Sequence, residues 1–113
     1  MDNNKQTNPR HNLEIEKYTP HSKMIITDPE VVKCFIHEKQ VKILETLLDE
    51  SKTIMELSTE LEWNPGTVKR HLEALIDAQL VTISHKIKNK FNITMKYYRA
   101  TANYYTFEWS WPE

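Results

Sequence analysis

The stretch TIMELSTELEWNPGTVKRHLEALIDAQL, residues 53–80, carries two helix-start signals in close succession. Thr53, with Glu56 three residues on, makes a capping box in which hydroxyl and carboxylate each satisfy a backbone N–H left unpaired at a helix start. Ile54, Leu57 and Leu61 then recur at helical spacing and predict a short helix with one buried stripe. Asn64 caps a second helix, and Pro65 stands at its first turn, where a missing N–H costs nothing. Val68, Leu72, Leu75 and Ile76 form the stripe of that helix, which leaves Gly66, Thr67, Lys69, Arg70 and Glu73 facing outward. Two helices about four residues apart have the proportion of a helix-turn-helix, with the second helix, residues 65–78, placed to enter the major groove of DNA.

Downstream the period changes from helical to two. Val81, Ile83 and His85 alternate with Thr82, Ser84 and Lys86, and Phe91, Ile93, Met95 and Tyr97 alternate with Asn92, Thr94, Lys96 and Tyr98. Residues 86–90, Lys-Ile-Lys-Asn-Lys, form the expected polar tip of a β-hairpin, where Asn89 tolerates a positive φ. Upstream, Asp28-Pro29 opens a helix with Val31, Val32, Phe35 and Ile36 on its apolar face. A further helix is expected over Lys39–Asp49, burying Val41, Ile43, Leu44, Leu47 and Leu48, though no Gly or Pro marks the break between the two. Residues 1–23 are polar, with prolines at 9 and 20, and read as a flexible arm in which Leu13–Tyr18 alone has packing potential. Residues 24–102 form the domain, and 103–113 an aromatic tail in which Tyr105, Phe107, Trp109 and Trp111 share one face if extended. The fold class is mainly α with a small β-hairpin.

At 113 residues one domain is expected. There is no run of about eighteen apolar residues to span a membrane, and MDNNKQTNPRHN lacks the apolar region of a signal peptide. A single cysteine, Cys34, suits a reducing compartment, so a cytoplasmic location is expected. The net charge of −1 argues against a polyanion partner until its distribution is read. Residues 1–62 hold 8 Lys/Arg against 12 Asp/Glu, residues 63–99 hold 7 against 2, and the remainder adds two acids. The second helix and the hairpin therefore lie in a segment of +5, and screening over about 8 Å makes that local excess count for more than the sum. No nucleophile, base and orienting group form a set, and no glycine-rich phosphate loop exists, so an enzyme is not expected. Cys34 and His37 stand close enough to share a metal, with His11, His21 or His85 as further donors, but two ligands do not close a site. Neither metal nor cofactor is expected.

The order helix, helix, helix-turn-helix, hairpin resembles the winged helix-turn-helix regulators of the ArsR-like superfamily, from about Ile26 to Ala102. The resemblance is carried by Asp28-Pro29-Glu30-Val31, by Ile43-Leu44-Glu45-Thr46-Leu47-Leu48, and by Met55-Glu56-Leu57-Ser58. It continues through Gly66-Thr67-Val68-Lys69-Arg70-His71-Leu72-Glu73-Ala74-Leu75 and Lys96-Tyr97-Tyr98-Arg99-Ala100-Thr101-Ala102. Two departures stand out: His37-Glu38-Lys39-Gln40 lacks the usual Pro and Arg, and Ala78-Gln79-Leu80 has glutamine where the family often has glycine. The resemblance implies a transcriptional regulator that binds double-stranded DNA as a homodimer on a pseudo-palindromic operator. The expected DNA contacts are Asn64, Gly66, Thr67, Lys69, Arg70 and His71, with Lys86, Lys88 and Lys90 of the hairpin tip on the backbone. His71 reads equally as a half-buried, hydrogen-bonded histidine. The aromatic tail, Tyr104, Tyr105, Phe107, Trp109 and Trp111, suits base stacking, a ligand pocket or a subunit interface. The interface is preferred, with Val31, Phe35, Tyr105, Phe107, Trp109 and Trp111 as the expected dimer contacts, since interfaces are enriched in such residues. The competing readings are a winged protein–protein interaction module without DNA binding, and a metal-responsive repressor; the sequence specifies no effector.

Overall fold

The computed structural model describes residues 18–112. Strand β1 (Met24–Ile26) leads into a 3₁₀ turn over Pro29–Val31, and four helices follow: α1 (Val32–Ile36), α2 (Glu38–Thr46), α3 (Ile54–Leu61) and α4 (Pro65–Asp77). Strands β2 (Val81–Lys88) and β3 (Thr94–Ala100) form an antiparallel hairpin, and β4 (Tyr105–Phe107) pairs in parallel with β1. This is a winged helix-turn-helix.

The start signals act as the sequence predicts. Thr53 Oγ1 accepts from Glu56 N and Glu56 Oε1 accepts from Thr53 N, both at 3.0 Å. Asn64 Oδ1 accepts from Gly66 N at 2.7 Å, and Asp28 Oδ1 from Glu30 N at 2.9 Å. The break between α1 and α2 falls at His37, whose backbone is extended. With only five residues, α1 cannot bury the whole stripe expected of it, and Ile36 is left exposed.

Ile43, Leu44 and Leu47 of α2 meet Leu57 of α3, Val68, Leu72 and Leu75 of α4, and Leu80, Val81 and Ala100 in one continuous core. Each deep leucine here is worth about 2–5 kcal/mol against alanine, because the transfer term and the residual cavity add. Strand β3 and its continuation tie the layers together. Ala100 N donates to Leu47 O, Thr101 N to Leu80 O, and Tyr98 exchanges two backbone bonds with Lys52. The alanines at 100 and 102 are fully buried, so no larger side chain fits at these close passages.

The described segments on either side of the helical core pack back onto it. Of the expected arm, residues 1–17 lie outside the described residues, whereas Tyr18 and His21 are docked. The Tyr18 hydroxyl donates to Ala100 O at 2.8 Å, and His21 exchanges backbone bonds with Thr101 and Asn103. The tail turns back as β4, with Tyr105 Oη donating to Leu80 O at 2.9 Å. Tyr105 thus supports the fold, a role its alternating pattern did not distinguish from that of an interface residue.

The hairpin departs from simple alternation. Ile83 pairs with Tyr98 but His85 pairs with Tyr97, so Ser84 is an extra residue in β2, a β-bulge. Its hydroxyl lies 2.7 Å from Ser51 Oγ and 2.8 Å from His85 Nδ1, which fixes the bulge in place. Strand β2 runs further than expected and β3 starts later, so Lys86 and Lys88 stand in β2 and the turn covers residues 89–93. Phe91 and Ile93, expected on a buried strand face, are exposed in that turn. Asn92, not Asn89, takes the positive φ (65°), while Asn89 Oδ1 accepts from Phe91 N and Ile93 N.

Gln79 occupies the left-handed region (φ 64°) at the exit of α4, where a glycine carries no Cβ penalty. Replacing Gln79 by Gly is expected to raise stability by about 0.5–1 kcal/mol, and Gln79→Val to lower it, as read by thermal melting. A lower melting temperature for Gln79→Gly would show that the strain at this exit is already relieved.

Candidate nucleic-acid interface

Helix α4 presents Gly66, Lys69, Arg70 and Glu73 to solvent, with Thr67 half-buried beside them. Its angle to α3 is set by the turn between them. Glu62 adopts a left-handed conformation (φ 60°), Trp63 N donates to Ser58 O, and the Ser58 hydroxyl donates back to Trp63 O. Lys39 of α2 lies over the Trp63 ring, 4.4 Å from its centroid, a cation–π contact that pins the turn to the helix behind it. The Asn64 side chain is engaged as the cap of α4. Gly66 follows, and a Cβ there would meet Asn64 Oδ1 at 3.1 Å, so the residue keeps both the cap and the helix entrance open.

One expected contact residue is turned inward. His71 is buried, with Nδ1 3.3 Å from the Gln40 amide nitrogen, which donates to it, and with its ring 4.7 Å from that of His37. It is three residues behind Val68 on the same stripe, so helical geometry places it in the core and not against DNA. Burial holds its pKa below the usual histidine value, and positive charge on His37, Arg70 and Lys39 acts in the same direction. Because the unfolded chain takes up this proton near the ordinary value of 6.5, the stability due to neutral His71 is complete above that pH. It is lost as pH falls through the lower folded value.

The bulge decides where the lysines of the wing point. Ahead of it, Val81 and Ile83 share a face with their partners Ala100 and Tyr98; Val81, Ala100 and Tyr98 are buried on the core side, and Ile83 lies at its exposed edge. Beyond it, His85 and Ile87 move to the opposite face with Tyr97 and Met95, and His85 stacks on Tyr97 at 4.5 Å. Lys86 and Lys88 therefore come round to the face of Tyr98, Lys96 and Thr94, on the side of the helix-turn-helix. Lys86 stands directly opposite Lys96. Like charges so placed destabilise a hairpin, and neither lysine has an ion-pair partner among the described residues. Lys90 lies at the tip, 5.3 Å from the Phe91 ring.

Between α3, α4 and β3 runs a groove of about 380 Å³ lined by Thr53, Ile54, Met55, Lys69, Thr94, Met95, Lys96 and Tyr98. Lys96 escaped the sequence reading because its place opposite Lys86 depends on the bulge. A wider groove of about 820 Å³, bordered by β1, α1 and the end of α4, bears Asp28, Glu30 and Asp77 against Lys33, a lining that is net negative and unsuited to a polyanion. Cys34 borders it too, buried, its thiol pKa raised by desolvation. No three His, Cys, Asp or Glu side chains converge to hold a metal among the described residues, and no helix there is long and apolar enough to cross a membrane.

Residues 37–82 match the model of the bacterial regulatory protein ArsR family. Helices α2, α3 and α4 lie within this segment. Among solved structures, the chain is similar to HlyU from Vibrio cholerae, with 26% identity over 64% of this chain and 72% of that one and a TM-score of 0.52. The transcriptional regulator HlyU from Vibrio vulnificus shares the fold at 24% identity over 64% and 69%, with a TM-score of 0.52. So does the homodimeric winged helix-turn-helix DNA-binding domain of a possible ArsR-family transcriptional regulator from Mycobacterium bovis, at 22% identity over 64% and 61% and a TM-score of 0.51. Comparison with curated proteins gave no match. The matched segment begins at His37 and ends at Thr82, so the similarity takes in α2, α3 and α4 and only the entrance to β2. The wing and both chain ends lie outside it.

His71→Gln is expected to flatten the loss of urea stability between about pH 7.5 and about pH 5, because glutamine keeps a polar partner for Gln40 without titrating. A variant with the parent's pH slope would remove His71 from the titration.

Proposed function

We propose that the chain is a sequence-specific binder of double-stranded DNA, with α4 in the major groove and the wing on the backbone. The observation that carries this reading is the predominantly basic face of Lys69, Arg70, Lys86, Lys88 and Lys96, with Glu73 the acid of α4 beside them, in a protein whose net charge is −1. Arg70, exposed on the second turn of α4, has the fork that pairs with guanine O6 and N7. Thr67 and the N–H groups beside Gly66 suit a phosphate, as do Lys88 and Lys90. Asn64 contributes through its cap and not as an independent reader. His71, being buried, supports the helix from behind.

The chain acts as a homodimer in this reading, with two α4 helices in successive major grooves about 34 Å apart. The homodimeric relative from Mycobacterium bovis supports it. So does the aromatic surface at α1 and the tail, where Phe35 meets Phe107 edge-on at 4.9 Å and Phe107 meets Trp109 at 5.9 Å. Phe107, Trp109, Trp111 and Ile36 keep much of their area exposed, Trp111 as much as 91%. Val31 and Phe35 are half-buried within their own chain and offer less.

Selection of bound duplexes from a random pool should yield a two-fold symmetric site. Arg70→Ala should then weaken binding by about 1–3 kcal/mol and relax choice at one base of each half-site, whereas Lys88→Ala should act equally on all sequences. Parent-like binding by both variants at several salt concentrations would place the DNA face elsewhere. Phe107→Asp should shift the sedimenting species from dimer to monomer; an unchanged dimer would move the interface away from the tail.

A further inference from the structure

The groove between the helix-turn-helix and the wing has a shape and charge that α4 and the wing tip do not account for. Its floor is apolar, formed by Ile54, Met55 and Tyr98, and Met55 is 61% exposed. Two lysines border it from different elements, Lys69 from α4 and Lys96 from β3. Lys86 stands beside Lys96 across the hairpin. The bulge at Ser84 brings Lys86 round to this face, so two ammonium groups are held together although their repulsion costs the free protein stability. An apolar floor beneath clustered ammonium groups that have no ion-pair partner among the described residues matches a sugar–phosphate unit, with the deoxyribose on Ile54 and Met55 and the phosphate on the lysines.

We propose that this groove seats one backbone phosphate of the DNA strand flanking α4, gripped by Lys69 and Lys96 with Lys86 adjacent. The seat fixes how the wing is set against the duplex, and Lys96 is a positioning contact that carries no base information. The proposal rests on the DNA-binding reading given above, and the two fail in different ways.

The test uses the full chain, a short duplex of random sequence and a duplex recovered by selection, titrated over a range of salt. Lys96→Gln is expected to lower the slope of log affinity against log salt by about 0.9, the value for one lost phosphate contact on duplex DNA. It should weaken binding to both duplexes by the same factor and leave base preference unchanged. Its melting temperature should equal or exceed the parent's, because the Lys86–Lys96 repulsion is gone. This opposition of stability and affinity excludes misfolding as the cause. Lys33→Gln, on α1 and paired with Glu30 at 2.7 Å, controls for net charge. If Lys96→Gln changes slope and affinity no more than Lys33→Gln, while Lys88→Gln and Arg70→Ala still impair binding, the phosphate seat is overturned and the DNA reading stands. If none of the four variants changes binding, the DNA face itself is misplaced.

Discussion

The backbone of residues 98–102 holds the layers of this domain in place. Within five residues it bonds to Lys52 ahead of α3, to Leu47 at the end of α2, to Leu80 at the exit of α4, and to His21 of the N-terminal segment. Tyr18 and Tyr105 add their hydroxyls to the same stretch, on Ala100 O and at Thr101 Oγ1. Buried amides and carbonyls are costly without partners, and here each partner belongs to a different element. The strand can therefore form fully only when the helices, the wing and both chain segments are in their final places. The family resemblance along Tyr97–Ala102 has this physical content: tyrosines that pack or stack, an arginine on Leu48 O, and alanines where two backbones leave no room.

The same strand joins the fold to the site. Tyr98 closes the core, and two residues earlier on the same face Lys96 reaches the groove beside α4. Packing of the tyrosine thus fixes the position of the lysine. Electrostatics follows the same local logic. The acidic first half of the chain places Asp28 and Glu30 beside the far end of α4, while the cations gather at its near end and on the wing. With screening over about 8 Å, the two ends act as separate surfaces, and a protein close to neutral can still present a face for a polyanion.

His71 shows why a helical stripe is read more safely for apolar residues than for ambiguous ones. An imidazole can face DNA or the core, and its position one turn from Val68 and Leu75 was compatible with both. Gln40 and His37 decide the matter by giving it a hydrogen-bond partner and a ring to pack on. Both stand more than thirty positions away in sequence, beyond the reach of any local pattern. Tyr105 is similar. Its place in an alternating aromatic run gave no sign that its hydroxyl would close the exit of α4.

The sequence by itself determined the helix-turn-helix, because caps, first-turn prolines and apolar stripes are contacts within a turn or two of the chain. Thr53 with Glu56, Asn64 with Pro65, and the spacing from Val68 to Leu75 specify both helices and the outward direction of Lys69 and Arg70. It also located the basic excess and the hairpin. Tertiary structure alone decided what the hairpin does with its lysines. One extra residue, held by Ser51 from another part of the chain, reverses the facing of everything beyond it. A period-two pattern cannot show that reversal, since the bulge is defined by a partner strand and a distant hydroxyl and not by the residues of β2 themselves.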